Sequence, residues 1–250
     1  MSHFYVTLPS NASMDFYPNN TVAKYTTKLA NRIELDGEWE VGLVELMYPC
    51  NWFNLRDAWF KLCFDEKLMN WTQALHVPNG YYVSPAKLLQ DDMVPLMNAV
   101  CDAKRVARFE VVPHHFEQMI ELSPNLTKIF NTTELITSVE LRIMRDKKRF
   151  PRIIEDPVSN MFVYCDLLEH VPVGDTLAPL LRCVSTNARQ KHGENVSKVF
   201  DNPLYLPVQK KSFDSVEINI MSDIGKPVPF TDGRSSVTLH FRRASSAYFL

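Results

Sequence analysis

The stretch 213–243 constrains the fold most, because it contains two runs of alternating residues separated by a segment rich in glycine and proline. Apolar residues occupy every second position of both runs, namely Val216, Ile218, Ile220, Val237, Leu239 and Phe241. This period of two is typical of half-buried strands. The connection between the runs is too long for a tight hairpin. We therefore predict that it carries the chain from one sheet of a sandwich to the other, so that both strands pair with earlier parts of the sequence.

The same alternation predicts further strands on both sides of a segment with a different pattern. The predicted strands cover residues 4–8, 25–29, 33–35, 38–48, 58–64, 139–143, 161–168 and 179–184. Turn-forming residues separate them, including Asp36-Gly37 before the strand at 38–48. Short strands with frequent turns indicate a mostly β protein, built as a two-sheet antiparallel sandwich or a barrel.

Residues 77–133 form the segment with the different pattern. Ser84 and Pro85 are typical of a helix N-cap and of the first helical position. Apolar residues then follow a helical stripe over 89–100. Because Pro95 lies inside this stripe, we predict a kink or two short helices there.

The rest of this segment is predicted to contain a strand pair at 105–112 and 116–122 and a short helix at 124–130. Together these elements make 77–133 a small α+β insertion between strands. The flanking residues, 1–76 and 134–250, are predicted to form the β-sandwich domain.

Composition argues against several classes of protein. The formal net charge of -2 provides no general basic field, so nucleic acid is not expected to be the main partner. Five cysteines without a Cys-x-x-Cys pair argue against a disulfide framework and a zinc cluster, and we expect all five to be reduced core residues. No segment approaches the length of an apolar membrane span and the start does not resemble a signal peptide, so we expect a soluble, non-secreted protein.

No catalytic, cofactor-binding or metal site is expected. A cupin-like metalloenzyme needs a His-x-His pair on one strand face, whereas the adjacent His114 and His115 would point to opposite faces of a strand. The sequence also lacks a G-x-S-x-G elbow, a phosphate-binding loop and an H-E-x-x-H helix.

One local charge run, RDKKRFPR at 145–152, is a candidate binding site. Its basic residues are Arg145, Lys147, Lys148, Arg149 and Arg152. Such a basic patch could bind a phosphate backbone or act as a nuclear import signal. A solvated loop is the alternative, and we favour it.

Five stretches of the chain resemble one known family. They read FYVTLPSNASMDFYPNNTVAKYTTKL, IELDGEWEVGLVELMYP, IELSPNLTKIF, FVYCDLLEHVPVGDTLAPLLRCV and VEINIMSDIGKPVPFTDGRSSVTLHFRR. In order and spacing they resemble the minor capsid, or penton, proteins of Polinton (Maverick) elements and of the related adintoviruses. One departure is Lys128-Ile129-Phe130, where members of the family usually have Leu-Gly-Phe.

The resemblance implies a single jelly roll, five copies of which surround each vertex of an icosahedral capsid. These pentamers would seal the gaps between capsomers of a separate double jelly-roll major capsid protein. The protein would be made in the host cytoplasm, assembled there or in the nucleus, and end in the virion. In such a jelly roll the last strand pairs with the first strands and the penultimate strand lies in the facing sheet. The insertion would lie between the fourth and fifth strands.

Partner contacts are expected on loops, edges and outer faces. Our candidates are Phe16 and Tyr17 in the N-terminal loop and Tyr248 and Phe249 in the apolar tail, because exposed aromatic groups often mark docking sites. The polar residues of the last strand, such as His240, are expected on an outer face that meets a neighbouring subunit. The alternative to a capsid protein is a carbohydrate- or receptor-binding β-sandwich whose insertion is the recognition surface.

Overall fold

The computed structural model describes residues 2–64, 70–105, 108, 118–147, 149–151, 154, 158–186 and 191–244. The chain divides into unit 1, with residues 1–52 and 158–250, and unit 2, with the inserted residues 53–157. The pair His114-His115 and most of the predicted strand at 105–112 lie outside the described residues.

Strands make up most of unit 1, whereas unit 2 combines strands and helices. In chain order the strands are β1 (His3–Pro9), β2 (Lys24–Glu34), β3 (Trp39–Pro49), β4 (Trp59–Cys63), β5 (Leu75–His76), β6 (Met119–Leu122), β7 (Leu135–Thr137), β8 (Asn160–Cys165), β9 (Val171–Val173), β10 (Thr176–Ala178), β11 (Leu180–Ser185), β12 (Asn195–Val199), β13 (Leu206–Pro207), β14 (Ser212–Ser222) and β15 (Ser236–Arg243). The helices are α1 (Pro85–Leu88), α2 (Val94–Ala103), α3 (Pro124–Phe130) and α4 (Ser138–Asp146), and a π-helical turn (Leu89–Met93) joins α1 to α2.

Unit 1 consists of two main antiparallel sheets around one hydrophobic core and a separate two-stranded sheet of β9 and β10. Sheet 1 has the order β1-β15-β3-β12, with the short β13 also paired to β3, and sheet 2 has the order β11-β8-β14-β2. Numbered along the chain, the eight main strands are arranged 1-8-3-6 in sheet 1 and 5-4-7-2 in sheet 2. This is the strand order of a jelly roll. The predicted fold class, a mostly β single jelly-roll sandwich with a small α+β insertion, is confirmed.

The last two long strands lie in different sheets, as predicted from their connection. β14 pairs with β2 and β8 in sheet 2, and β15 pairs with β1 and β3 in sheet 1. The rings of Phe213 on β14 and Phe241 on β15 are buried with their centroids 5.9 Å apart. Alternate residues of both strands therefore fill one core between the sheets.

Unit 2 is a four-stranded antiparallel sheet, β5-β4-β6-β7, packed against helices. Phe60, Leu62, Ile120 and Leu122 point from one sheet face into a core that also contains apolar residues of all four helices. The predicted N-cap at Ser84 is confirmed, since its side chain accepts a hydrogen bond from the Lys87 N–H. The helix predicted at 124–130 is also present.

The predicted interruption near Pro95 is confirmed. The π-helical turn ends at Met93, and Pro95 occupies the first turn of α2. A proline is tolerated there because the first N–H groups of a helix have no acceptor within the helix.

The boundaries of the insertion differ from the expected 77–133. Strands β4 and β5, which were assigned to the sandwich, pair with β6 and share the core of unit 2. Unit 2 is therefore inserted between the third and fourth strands of the jelly roll, not between the fourth and fifth. β4 alternates like a sandwich strand, and alternation alone does not reveal which sheet a strand joins.

The strand predicted at 139–143 is a helix, α4. The Thr137 hydroxyl accepts from the Glu140 N–H at 3.1 Å, while a Glu140 carboxylate oxygen accepts from the Thr137 N–H at 2.8 Å. This capping box favours a helix over a strand. Leu141 is buried and Ile143 is exposed, although the two would share a face in a strand.

Candidate assembly surfaces

The N-terminal loop that carries Phe16 and Tyr17 follows one edge of β2. Asn20 binds this edge with both atoms of its amide, donating to the Thr26 carbonyl and accepting from the Thr26 N–H, each at 2.9 Å. Ser13 accepts from the Lys28 N–H at 2.9 Å. These side chains satisfy polar groups of a sheet edge that would otherwise be open to another strand.

Phe16 is displayed on this anchored loop, and 63% of its surface is exposed. The Lys28 ammonium lies 4.7 Å from the centre of its ring. Tyr17 is half-buried. Phe16 is thus placed where a partner can reach it, and its contact with a partner stays a prediction.

Several other candidate residues lie outside the described residues. These are Tyr248 and Phe249 of the tail and Lys148 and Arg152 of the basic run. Their contacts stay predictions.

The described part of the basic run forms the C-terminal end of α4. The Arg145 guanidinium donates to Asp146 at 3.0 Å, and Lys147 is the C-cap residue. Exposed Arg149 follows. Positive side chains at a helix C-terminus and Glu140 near its N-terminus both complement the helix dipole, so helix stabilisation explains this charge pattern without a ligand.

An aromatic cluster covers the outer surface of sheet 1, which we call face 1. Tyr5 on β1 lies opposite His240 on β15, and their rings stack with centroids 4.4 Å apart. His3 contacts the His240 ring edge to face at 5.3 Å. The Tyr205 hydroxyl is 2.8 Å from Nδ1 of His240.

A charged pair borders this cluster. The Arg242 guanidinium lies 3.5 Å from the centre of the Tyr205 ring and donates to Glu40 at 2.9 Å. Burial, and then the neighbouring His3 and Arg242, lower the pKa of His240. The imidazole is therefore held in its neutral form over a wider pH range than a free histidine.

The expectation that His240 lies on an outer face is confirmed, but its partners were not predicted. Tyr5, Tyr205 and His240 are far apart in sequence, and only the strand register brings them together. The available signal was the placement of His3 and Tyr5 on the polar side of the first strand.

Face 1 also carries several exposed apolar side chains. Tyr5 and Val199 are 60% and 66% exposed, and Met47 and Leu204 are exposed as well. Val199 lies on β12 and Met47 on β3. The adjacent residues along each strand are buried or half-buried, so Val199 and Met47 point outward. The strand register places Met47 opposite Ser197 and Ser236 and Val199 opposite Glu45, so these apolar side chains alternate with polar groups on face 1.

The outer surface of sheet 2, which we call face 2, carries a second apolar strip. Phe162 and Tyr164 point outward from β8, directly opposite Met221 and Asn219 of β14. A cavity of about 370 Å³ opens over Tyr164, Asn219 and Met221. Oδ1 of Asn219 is enclosed there without a hydrogen-bond partner among the described residues.

Exposed residues adjoin this cavity. Leu177 and Ile224 neighbour the lining residues Ala178 and Gly225 and are 64% and 71% exposed. Unit 1 therefore presents apolar groups on both of its outer faces.

Four of the five cysteines are buried, as expected, but Cys183 is exposed. The register of β11 shifts between Leu180 and Arg182, which places Cys183 opposite the outward-facing Phe162. The expectation that all five cysteines are core residues is therefore wrong for Cys183, whose side chain this bulge turns to the outer face.

The described residues lack two features, a metal-binding cluster and a membrane-spanning helix. Among them, no group of three or more His, Cys, Asp or Glu side chains is arranged to hold a metal ion. No helix in the described part of the chain is long and apolar enough to cross a membrane.

No family model and no curated protein matches the chain. Among solved structures, the chain is similar to the mavirus penton protein, with 9% sequence identity, coverage of 97% of this chain and 100% of that chain, and a TM-score of 0.48. It is also similar to a chain in the cryo-EM structure of the Sputnik virophage, with 11% identity, full coverage of both chains and a TM-score of 0.46. The fold assignment rests on the strand order of unit 1 and not on these similarities.

Proposed function

We propose that this chain is a structural minor capsid protein that forms homopentamers at the vertices of an icosahedral capsid. It would belong to the penton proteins of Polinton (Maverick) elements or adintoviruses and contact a double jelly-roll major capsid protein. The sequence resemblance and the jelly-roll strand order support this proposal.

The observation that carries the proposal is that both outer faces of one sandwich carry exposed apolar side chains. A closed ring uses head-to-tail contacts, in which one surface of each subunit binds a different surface of the next. Face 1, with Tyr5 and Val199, and face 2, with Met221 and the nearby Ile224, meet this requirement. A glycan-binding monomer would not need two such surfaces.

Light scattering on the purified protein tests the proposal. We expect a species of about five chains of 28.9 kDa, formed alone or after co-expression with the major capsid protein. A protein that stays monomeric and does not enter co-expressed capsids would contradict the proposal. Specific glycan binding by such a monomer would instead favour the carbohydrate-binding alternative.

Charge substitutions test which surfaces are used. Tyr5→Glu on face 1 and Ile224→Glu beside face 2 should each abolish the pentamer, because either change places an unpaired charge in a desolvated contact. Val83→Glu in unit 2 is the matched control, since Val83 is 59% exposed and Tyr5 60%. If all three variants remained pentameric, other surfaces would form the ring.

A further inference from the structure

The connection between β12 and β13 crosses the outer surface of β3. A Cβ atom at Gly42 would lie 2.9 Å from the Leu204 carbonyl oxygen and 3.0 Å from the Pro203 side chain. Residues 200–205, which we call the crossing segment, therefore lie in direct contact with the sheet.

Backbone pairing fixes the two ends of the crossing segment. The Phe200 N–H donates to the Val44 carbonyl at 2.9 Å, and Leu206 pairs with Val41. Between these ends, Arg182 donates to the Asn202 carbonyl at 3.3 Å. Besides the packing of Pro203 and Leu204 on Gly42, the side chain of Tyr205 attaches the segment to sheet 1.

Tyr205 is held between an imidazole and a cation. Its hydroxyl lies 2.8 Å from Nδ1 of His240, and the Arg242 guanidinium lies 3.5 Å from the centre of its ring. Glu40 on β3 fixes Arg242 through a contact of 2.9 Å. The crossing segment thus contacts the His240 ring through Tyr205.

Nδ1 of His240 has a hydrogen-bond partner, whereas the other ring nitrogen has none in the described part of the chain. Its Nε2 is enclosed without a partner among the described residues. Protonation turns both ring nitrogens into donors. The titratable and charged groups around the ring are His3 and Tyr5 on β1, Tyr205 on the crossing segment, Arg242 on β15 and its partner Glu40 on β3.

We propose that the Tyr205–His240 contact is an acid-sensitive latch. Neutral His240 holds the crossing segment on β3, and protonation of His240 releases it. In the neutral ring of this latch, Nδ1–H donates to the Tyr205 hydroxyl and the enclosed Nε2 carries only a lone pair. Protonation places an N–H at Nε2 without an acceptor among the described residues, in a ring beside the positive Arg242, and release lets water reach that donor. All contacts of the latch lie within one subunit, so the latch can exist without the proposed pentamer.

The direction of the pH dependence follows from proton linkage. Burial of the ring, followed by His3 and Arg242, lowers the pKa of His240, so an open state in which the ring is hydrated binds the proton at a higher pH than the closed state. The closed state is therefore fully favoured above about pH 6.5, the ordinary histidine value, and weakens as the pH falls through it. Because one proton is involved, the opening equilibrium rises at most about tenfold per pH unit.

Hydrogen–deuterium exchange of peptides covering 200–205 tests the latch, with labelling times scaled to the intrinsic exchange rates at pH 7.5 and pH 5.5. The wild type should lose protection by up to about tenfold at pH 5.5, read at the Phe200 amide, which donates to the Val44 carbonyl. His240→Gln keeps an amide that can bind Tyr205 but does not titrate, so its protection should be equal at both pH values. His170→Gln, at an exposed histidine, should behave like the wild type.

Tyr205→Phe provides a second route if His240→Gln does not fold. It removes the hydroxyl but keeps the ring, so the crossing segment should exchange quickly at both pH values. An unchanged pH response in either latch variant, or none in the wild type, would overturn the proposal.

Discussion

The hydroxyl of Tyr25 on β2 donates a hydrogen bond of 3.0 Å to the carbonyl of Leu8 on β1, and both residues are buried. β1 is an edge of sheet 1 and β2 an edge of sheet 2. The bond therefore joins the two sheets along one open side of the sandwich. Burial raises the pKa of Tyr25, which keeps the phenol protonated and able to donate.

Tyr25→Phe should destabilise unit 1 by about 1–2 kcal/mol, because it leaves a buried carbonyl without this donor. Urea denaturation measures the effect. Tyr17→Phe is the matched control, since Tyr17 lies half-buried on the adjacent loop. Equal stability of the two variants would show that the bond between sheets adds nothing.

Thr137→Ala should destabilise unit 2 by about 1 kcal/mol, because it removes one half of the capping box of α4. Circular dichroism during urea unfolding measures the loss. Thr132→Ala, outside the helix, should change stability less. The reverse order would argue against the cap.

Cys183 should be the one thiol of the folded chain that reacts quickly with Ellman's reagent, because the other four are buried. Burial also raises the pKa of the Cys165 thiol to about 12, so little nucleophilic thiolate forms there at pH 8. Cys183→Ser should abolish the fast phase and Cys165→Ser should leave it intact. A second fast thiol in the native protein would contradict this assignment.

Gly42→Ala should cost about 1–3 kcal/mol, because the new methyl group meets the backbone of Leu204, which cannot move aside as a side chain would. Thermal denaturation measures the change. Gly80→Ala is a milder substitution, since its nearest neighbour is the side chain of Tyr82 at 3.3 Å. A Gly42→Ala variant as stable as Gly80→Ala would mean that the crossing segment is not packed on β3.

Features encoded within a short stretch of sequence were predictable, whereas features that combine distant residues were not. The placement of β14 and β15 in different sheets was predictable. The alternation of apolar residues and the long Gly- and Pro-containing connection are both visible in a short stretch of sequence. α4 was missed because Val139, Leu141 and Ile143 alternate like a strand, while the signal that decides its structure lies in Thr137 and Glu140.

The candidate surfaces were less predictable than the fold. Phe16 was recognised because an aromatic residue in a polar loop is visible in the sequence. The cluster of Tyr5, Tyr205 and His240 depends on strand register and on the path of a distant connection, and neither is encoded in a short window.

The pairing of β1 with β15 has a consequence for synthesis on the ribosome. Residues 3–9 find their partner only at 236–242, so sheet 1 cannot be completed until residues 236–242 have emerged. Unit 2 is continuous in sequence and can fold while that partner is still missing. A chain truncated before residue 236 would leave β1 and β3 without the strand between them, so that only subunits containing β15 would present a finished face 1.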